Sequence, residues 1–141
     1  MKENKTLYKF LKVICKVLIK ILYRPKAYGT ENIPEKGAII FVGNHKHAFD
    51  PVVVMTNTKR IVHYMAKESL FKGLHGKILE SIGIIKVYRT KSNPLAVVEA
   101  VEILKNEGTV GIFPEGTRNK TEQELLKFSH GAVAIAKQAK V

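Results

Sequence analysis

From Gly37 onward, short apolar runs alternate with stretches of helical spacing, and this alternation narrows the fold more than any other feature of the chain. Ala38-Ile39-Ile40-Phe41-Val42 is continuously apolar, the pattern of a strand buried on both faces. Ile61-Val62-His63-Tyr64-Met65, Ile84-Ile85-Lys86-Val87-Tyr88 and Val110-Gly111-Ile112-Phe113 read as three further strands. Between them, Asp50-Pro51 opens a short helix through Met55, and residues 71–81 read as helical. Asn93-Pro94 starts a stronger helix with Leu95, Val98, Val101 and Leu104 at apolar positions and Gly108 as its stop. A last helix begins at Gly131 and runs to Lys140. Strands alternating with helices predict an α/β fold, a largely parallel sheet flanked by helices. At 141 residues the chain holds one domain at most.

Ahead of this domain, residues 5–23 predict an amphipathic helix. Lys5, Lys9, Lys12, Lys16 and Lys20 fall within an arc of roughly 80°. Leu7, Phe10, Leu11, Val13, Ile14, Val17, Leu18, Ile21 and Leu22 fill the rest. No uncharged run reaches the roughly 18–20 residues of a membrane span, and the interrupting lysines argue against a signal peptide. A helix lying in the interface of an anionic membrane fits this pattern. The alternative is a helix packed on the domain with its lysines in water. Arg24-Pro25 ends the helix, and residues 29–37 read as a linker. This divides the chain into an interface helix, 1–24, and a domain, 25–141.

The net charge is +12, from 24 Lys and Arg against 12 Asp and Glu, which calls for an acidic partner. Much of the excess lies in the first 26 residues, where eight basic side chains meet Glu3 alone. Nucleic acid fits less well than lipid, because the densest basic cluster backs onto a wide apolar face. Cys15, the only cysteine, reads as a small apolar filler, in keeping with a reducing compartment.

Two segments carry chemistry. Asn44-His45-Lys46-His47-Ala48-Phe49-Asp50 joins the first strand to the first short helix, the junction at which parallel sheets bind ligands. Histidine changes charge near neutral pH, so His45 can remove a proton from an attacking hydroxyl. Asp50 can hold the ring's tautomer and stabilise the imidazolium. A spacing of five on a regular helix would point the two side chains apart, so the intervening segment must turn. Asp50 also reads as an ordinary N-cap before a proline, and His45 as a loop histidine bonded to backbone. A metal site of His45, His47, Asp50 and His63 has no supporting ligand pattern, and no metal is expected.

Phe113-Pro114-Glu115-Gly116-Thr117-Arg118 also follows a strand. Gly116 tolerates positive φ and close approach of a ligand. Thr117 offers a hydroxyl, and Arg118 can grip a phosphate bidentately. Glu115 is out of place beside a phosphate and better suited to orienting an arginine or a backbone amide. Arg89, past the third strand, is a second phosphate candidate. Singly, each also reads as a β-turn or an exposed charge.

These residues resemble the glycerolipid acyltransferases. Asn44, His45 and Asp50 match the family's first motif. Gly83 to Arg89 resembles the second, and Phe113 to Arg118 matches the third throughout. The resemblance covers residues 25–141. It implies that His45 is the general base with Asp50 its partner, and that Arg89, Glu115, Gly116, Thr117 and Arg118 serve the acceptor phosphate. The implied reaction moves an acyl group from acyl-coenzyme A or acyl-carrier protein to 1-acyl-glycerol 3-phosphate (lysophosphatidic acid), giving phosphatidic acid. It needs no cofactor and takes place at the cytoplasmic face of the cell membrane, with the protein peripheral or monotopic. Other glycerophosphate or lysolipid acceptors share these motifs, and a non-catalytic lipid-binding module is the alternative from another class. His47 stands where many members have serine. The family's fourth motif, a proline-rich apolar strand associated with donor binding, would follow Val141, so the chain is expected to be a truncated form or fragment.

Overall fold

A computed structural model describes residues 3–88 and 94–141, so Arg89 and Asn93 lie outside the described residues. Among the described residues, five helices and four strands follow one another as α1 (Lys5–Leu22), β1 (Ile39–Val42), α2 (Asp50–Thr56), β2 (Val62–Lys67), α3 (Gly73–Ser81), β3 (Ile85–Val87), α4 (Pro94–Lys105), β4 (Thr109–Ile112) and α5 (Gly131–Ala139). Each expected element is present, with ends shifted by one or two residues, and the expected linker contains a single 3-10 turn at Thr30–Asn32.

All strand pairs are parallel, in the order β1-β4-β2-β3. The last strand in sequence therefore lies inside the sheet, between β1 and β2. Its side chains alternate between two apolar layers, as the period of a strand requires. Val110 and Ile112 point into a layer built with Ile85, Ala96, Ala100, Val101, Leu104, Ala132, Ile135 and Ala139. The alanines there let α4 and α5 approach closely. The opposite layer holds Tyr8, Val62, Tyr64, Ile82 and Ile84, with Phe41, Val54, Met55 and Phe113 packed against them. The result is a sheet covered on both faces, as parallel sheets require.

At the amino edge of the sheet, Arg60 joins three segments. Its guanidinium donates to the carbonyls of Pro34 (3.0 Å), Gly37 (2.5 Å) and Glu107 (2.9 Å), and to Thr109 Oγ1 (2.5 Å). A planar fork with several donors can hold these acceptors together where a lysine cannot.

α1 lies against the domain. Asn4 caps it through a bond to the Leu7 N–H (2.9 Å), and the Asn4 N–H donates to the Ser81 carbonyl (2.8 Å). Tyr8 is 1% exposed and its hydroxyl accepts from the Val62 N–H at 2.9 Å. Burial pushes that phenol up to about 12. One side of the helix thus packs on the domain, as the alternative reading had it. Tyr8, Leu11 and Ile19 pack inward, while Phe10, Val13, Val17, Leu18, Ile21 and Leu22 form an exposed apolar ridge. The lysines flank this ridge. Lys12 departs from the expected stripe, because its ammonium bonds the Thr58 carbonyl. Burial, helped by Lys16, holds it below the usual lysine range. Cys15 is half-buried on the same helix and burial raises its thiol, consistent with an apolar filler.

Candidate active site

β1 and β4 are neighbours, with Val42 opposite Ile112. Because they run parallel, the loops that leave them emerge at the same edge of the sheet. That single fact of topology brings residues 43–50 against residues 113–119.

The first loop turns back on itself through a bond from the Asp50 N–H to the His47 carbonyl (3.1 Å). This is the turn that the five-residue spacing demanded. It lets Asp50 Oδ2 accept from both His45 Nδ1 (2.9 Å) and the His47 N–H (2.8 Å). Asp50 is not the N-cap: Phe49 occupies that position and Asp50 is the first helical residue of α2. Its charge sits at the positive end of the helix dipole, where an anion is stabilised. A carboxylate can only accept, so the imidazole proton is on Nδ1 and Nε2 carries the lone pair. The His45 side chain is 17% exposed, which leaves the ring open to a substrate. One face of the ring stacks on Phe113, with centroids 4.2 Å apart and planes at 19°.

Both main-chain groups of His45 are also held. Its N–H donates to Glu115 Oε1 at 2.8 Å, and its carbonyl accepts from the Asn119 N–H at 2.6 Å. Glu115 is buried, and its other oxygen accepts from the Leu126 N–H at 3.3 Å. This corrects the phosphate role expected for Glu115. Its carboxylate braces His45 from below, the amide-orienting task that suited the residue on its own chemistry.

The turn of the second loop closes with the Gly116 N–H on the Phe113 carbonyl (2.9 Å), and Gly116 has φ +66°. A Cβ at Gly116 would meet nothing within 4 Å, so glycine is required by backbone conformation and not by lack of space. Gly116, Thr117 and Arg118 are all exposed, and Arg118 is next to the Asn119 amide that bonds His45. The guanidinium of Arg118 makes no ion pair among the described residues. Arg89, expected at this edge, lies outside them.

Sequence reasoning missed two residues. Asn119 is 3% exposed, accepts from the Thr121 N–H and hydroxyl, and donates to the Gln123 carbonyl. Lys46 Nζ reaches the Thr121 and Gln123 carbonyls (3.1 and 2.5 Å). Together they tie residues 119–123 to the histidine loop. An asparagine in a polar, turn-forming run was the one available signal. His47, exposed, packs edge-on against Tyr23 and beside Phe49, which links the end of α1 to the same loop. His63 is buried elsewhere, with Nδ1 on the Gly83 carbonyl (2.8 Å). Among the described residues, no His, Cys, Asp and Glu side chains converge as metal ligands.

A His–Asp pair and a glycine turn thus share the carboxyl edge of a parallel α/β sheet. Residues 24–141 match the model of the acyltransferase family, and the chain belongs to that family. It is 31% identical over 136 residues to the 1-acyl-sn-glycerol-3-phosphate acyltransferase of Bacillus subtilis, covering 95% of this chain and 67% of that protein. To the enzyme of the same name from Borreliella burgdorferi it is 34% identical over 111 residues, covering 77% and 44%. The crystal structure of the 1-acyl-sn-glycerophosphate (LPA) acyltransferase PlsC from Thermotoga maritima superposes with a TM-score of 0.76 at 26% identity, over all of this chain and 58% of that one. The chain thus spans between 44% and 67% of the length of these relatives.

Proposed function

We propose that this chain transfers a fatty acyl group from an acyl thioester to the free sn-2 hydroxyl of 1-acyl-glycerol 3-phosphate, giving phosphatidic acid. The observation that carries it is the His45–Asp50 pair at 2.9 Å, on a loop bonded to the one that bears the exposed Gly116 and Arg118. In this reaction Nε2 takes the hydroxyl proton as the oxygen attacks the thioester carbonyl carbon. The C–S bond then breaks, and the departing sulfur keeps its electron pair and takes the proton back from the imidazolium. Asp50 offsets the charge on the ring between the two steps. Acyl-coenzyme A and acyl-carrier protein both supply such a thioester. No protein nucleophile is required, because the acceptor attacks directly.

Arg118, with the backbone of the Gly116 turn and Thr117, binds the acceptor phosphate. Arg118→Ala removes a charge-assisted contact worth about 1.5–3 kcal/mol, so KM for lysophosphatidate should rise about 10–10²-fold with little change in KM for the donor. Measuring both constants, with monoacylglycerol as the phosphate-free acceptor, tests this. A change confined to the donor would remove Arg118 from the phosphate site.

The reaction takes place at an anionic membrane surface, where α1 lies with its exposed apolar ridge in the lipid and Lys9, Lys16 and Lys20 at headgroup level. No described helix is long and apolar enough to cross a membrane. Each lysine near an anionic surface contributes about 1 kcal/mol. Replacing Lys9, Lys16 and Lys20 with serine should weaken flotation with anionic vesicles on the order of 10²-fold and leave neutral vesicles unaffected. Binding that ignores lipid charge would contradict the role given to the lysines.

A further inference from the structure

A hydrogen bond fixes one point of an imidazole; it does not fix the plane of the ring. The Cβ–Cγ bond and the Nδ1 bond to Asp50 together restrain the His45 ring, and a surface packed against its face narrows the motion that is left. That surface is Phe113, and Phe113 in turn stacks on Tyr64, with centroids 5.7 Å apart and planes at 10°.

Tyr64 reaches this place because of Gly111. The two residues are partners across β2 and β4, and the Tyr64 ring lies flat over the glycine. A Cβ at Gly111 would overlap Cδ1 and Cε1 of that ring. Three rings, Tyr64, Phe113 and His45, therefore form one nearly parallel column along the face of the sheet, ending at the catalytic edge. Aromatic pairs in such offset stacks favour a definite relative orientation.

We propose that Tyr64 is a positioning residue for His45, acting through Phe113 to set the plane of the imidazole. The ring of Tyr64 does this work and its hydroxyl does not. Tyr64 is 6% exposed, yet its hydroxyl is the one buried side-chain polar atom without a hydrogen-bond partner among the described residues. Burial, with Tyr8 and Asp50 adding to it, also raises the phenol above the usual tyrosine range. The proposal rests on His45 as the base only for its consequence in turnover.

The test has one arm that needs no reaction. Stacking on Phe113 shifts the ring carbon-bound protons of His45 upfield in the NMR spectrum of the 141-residue chain. Tyr64→Leu should abolish that shift and Tyr64→Phe should keep it. Val62→Ala, a loss from the same apolar layer with the rings left in place, should also keep it. In transfer assays Tyr64→Leu should lower kcat about 10–10²-fold with little change in acceptor KM, the cost of a misplaced base. If Tyr64→Leu does not fold, Tyr64→Met gives the same reading. The proposal is overturned if the leucine or methionine variant retains the upfield shift, or if Val62→Ala loses it as well. It is equally overturned if the unsubstituted chain shows no upfield shift at all. Altered shifts with unaltered kcat would leave the ring column standing and remove His45 as the base.

Discussion

Asp50→Asn is expected to slow acyl transfer about 10²–10⁴-fold while the chain stays folded and the acceptor KM stays nearly unchanged. In the wild-type arrangement Oδ2 accepts from two donors, His45 Nδ1 and the His47 N–H. Asparagine can present either its oxygen or its NH2 group in the place of Oδ2. If the NH2 group stands there, it faces both Nδ1 and the His47 N–H, and the imidazole proton moves to Nε2. The nitrogen facing the substrate is then a donor and no longer a base. If the oxygen stands there, both bonds and the tautomer survive but the imidazolium loses its counter-charge. Either outcome lowers kcat, and neither touches the groups proposed to bind the acceptor. Steady-state kinetics with lysophosphatidate, alongside circular dichroism of the variant, distinguishes this from misfolding.

Glu115→Ala should damage both stability and turnover, because the carboxylate holds two main-chain amides, those of His45 and Leu126. A hydrogen bond to a charged acceptor contributes about 1.5–3 kcal/mol, and a buried N–H left without a partner adds its own penalty. Losing both bonds costs a large part of the 5–15 kcal/mol that typically separates folded from unfolded chains. The loop bearing His45 would lose the anchor beneath its reactive residue, so kcat falls with stability. Glu115→Gln keeps one acceptor oxygen and should be intermediate in denaturant midpoint and in kcat. A phosphate-facing Glu115 would behave differently. Removing its charge would relieve repulsion and lower the acceptor KM without affecting the unfolding midpoint.

The strands and helices were legible because burial on both faces writes continuous apolar runs, and Gly and Pro punctuate them. The position of β4 between β1 and β2 was not, since pairing order depends on which faces meet in three dimensions and leaves no periodic mark. Yet that position joins the two chemical segments. Asp50 illustrates the limit at the site. Its spacing from His45 required a turn, but the sequence offered an N-cap, and only the main-chain bond from Asp50 to His47 distinguishes the two arrangements. Glu115 and Asn119 act on the backbone of a residue 70 or more positions away, and such bonds have no sequence signature. Lys12 was assigned to the basic stripe on angular spacing alone; the nearby Thr58 carbonyl draws it inward. Tyr64 looked like one more apolar residue of a strand until Gly111 was seen beneath its ring.

The most direct measurement is mass-spectrometric detection of phosphatidic acid formed from lysophosphatidate and an acyl thioester in anionic vesicles, for the wild-type chain and for His45→Ala side by side. With His45 Nε2 as the base, the wild-type chain forms phosphatidic acid and the alanine variant forms it about 10²–10⁴-fold more slowly, with acceptor KM and vesicle binding retained. Equal rates from the two proteins, or no phosphatidic acid from either, would contradict a histidine-catalysed acyl transfer at this site.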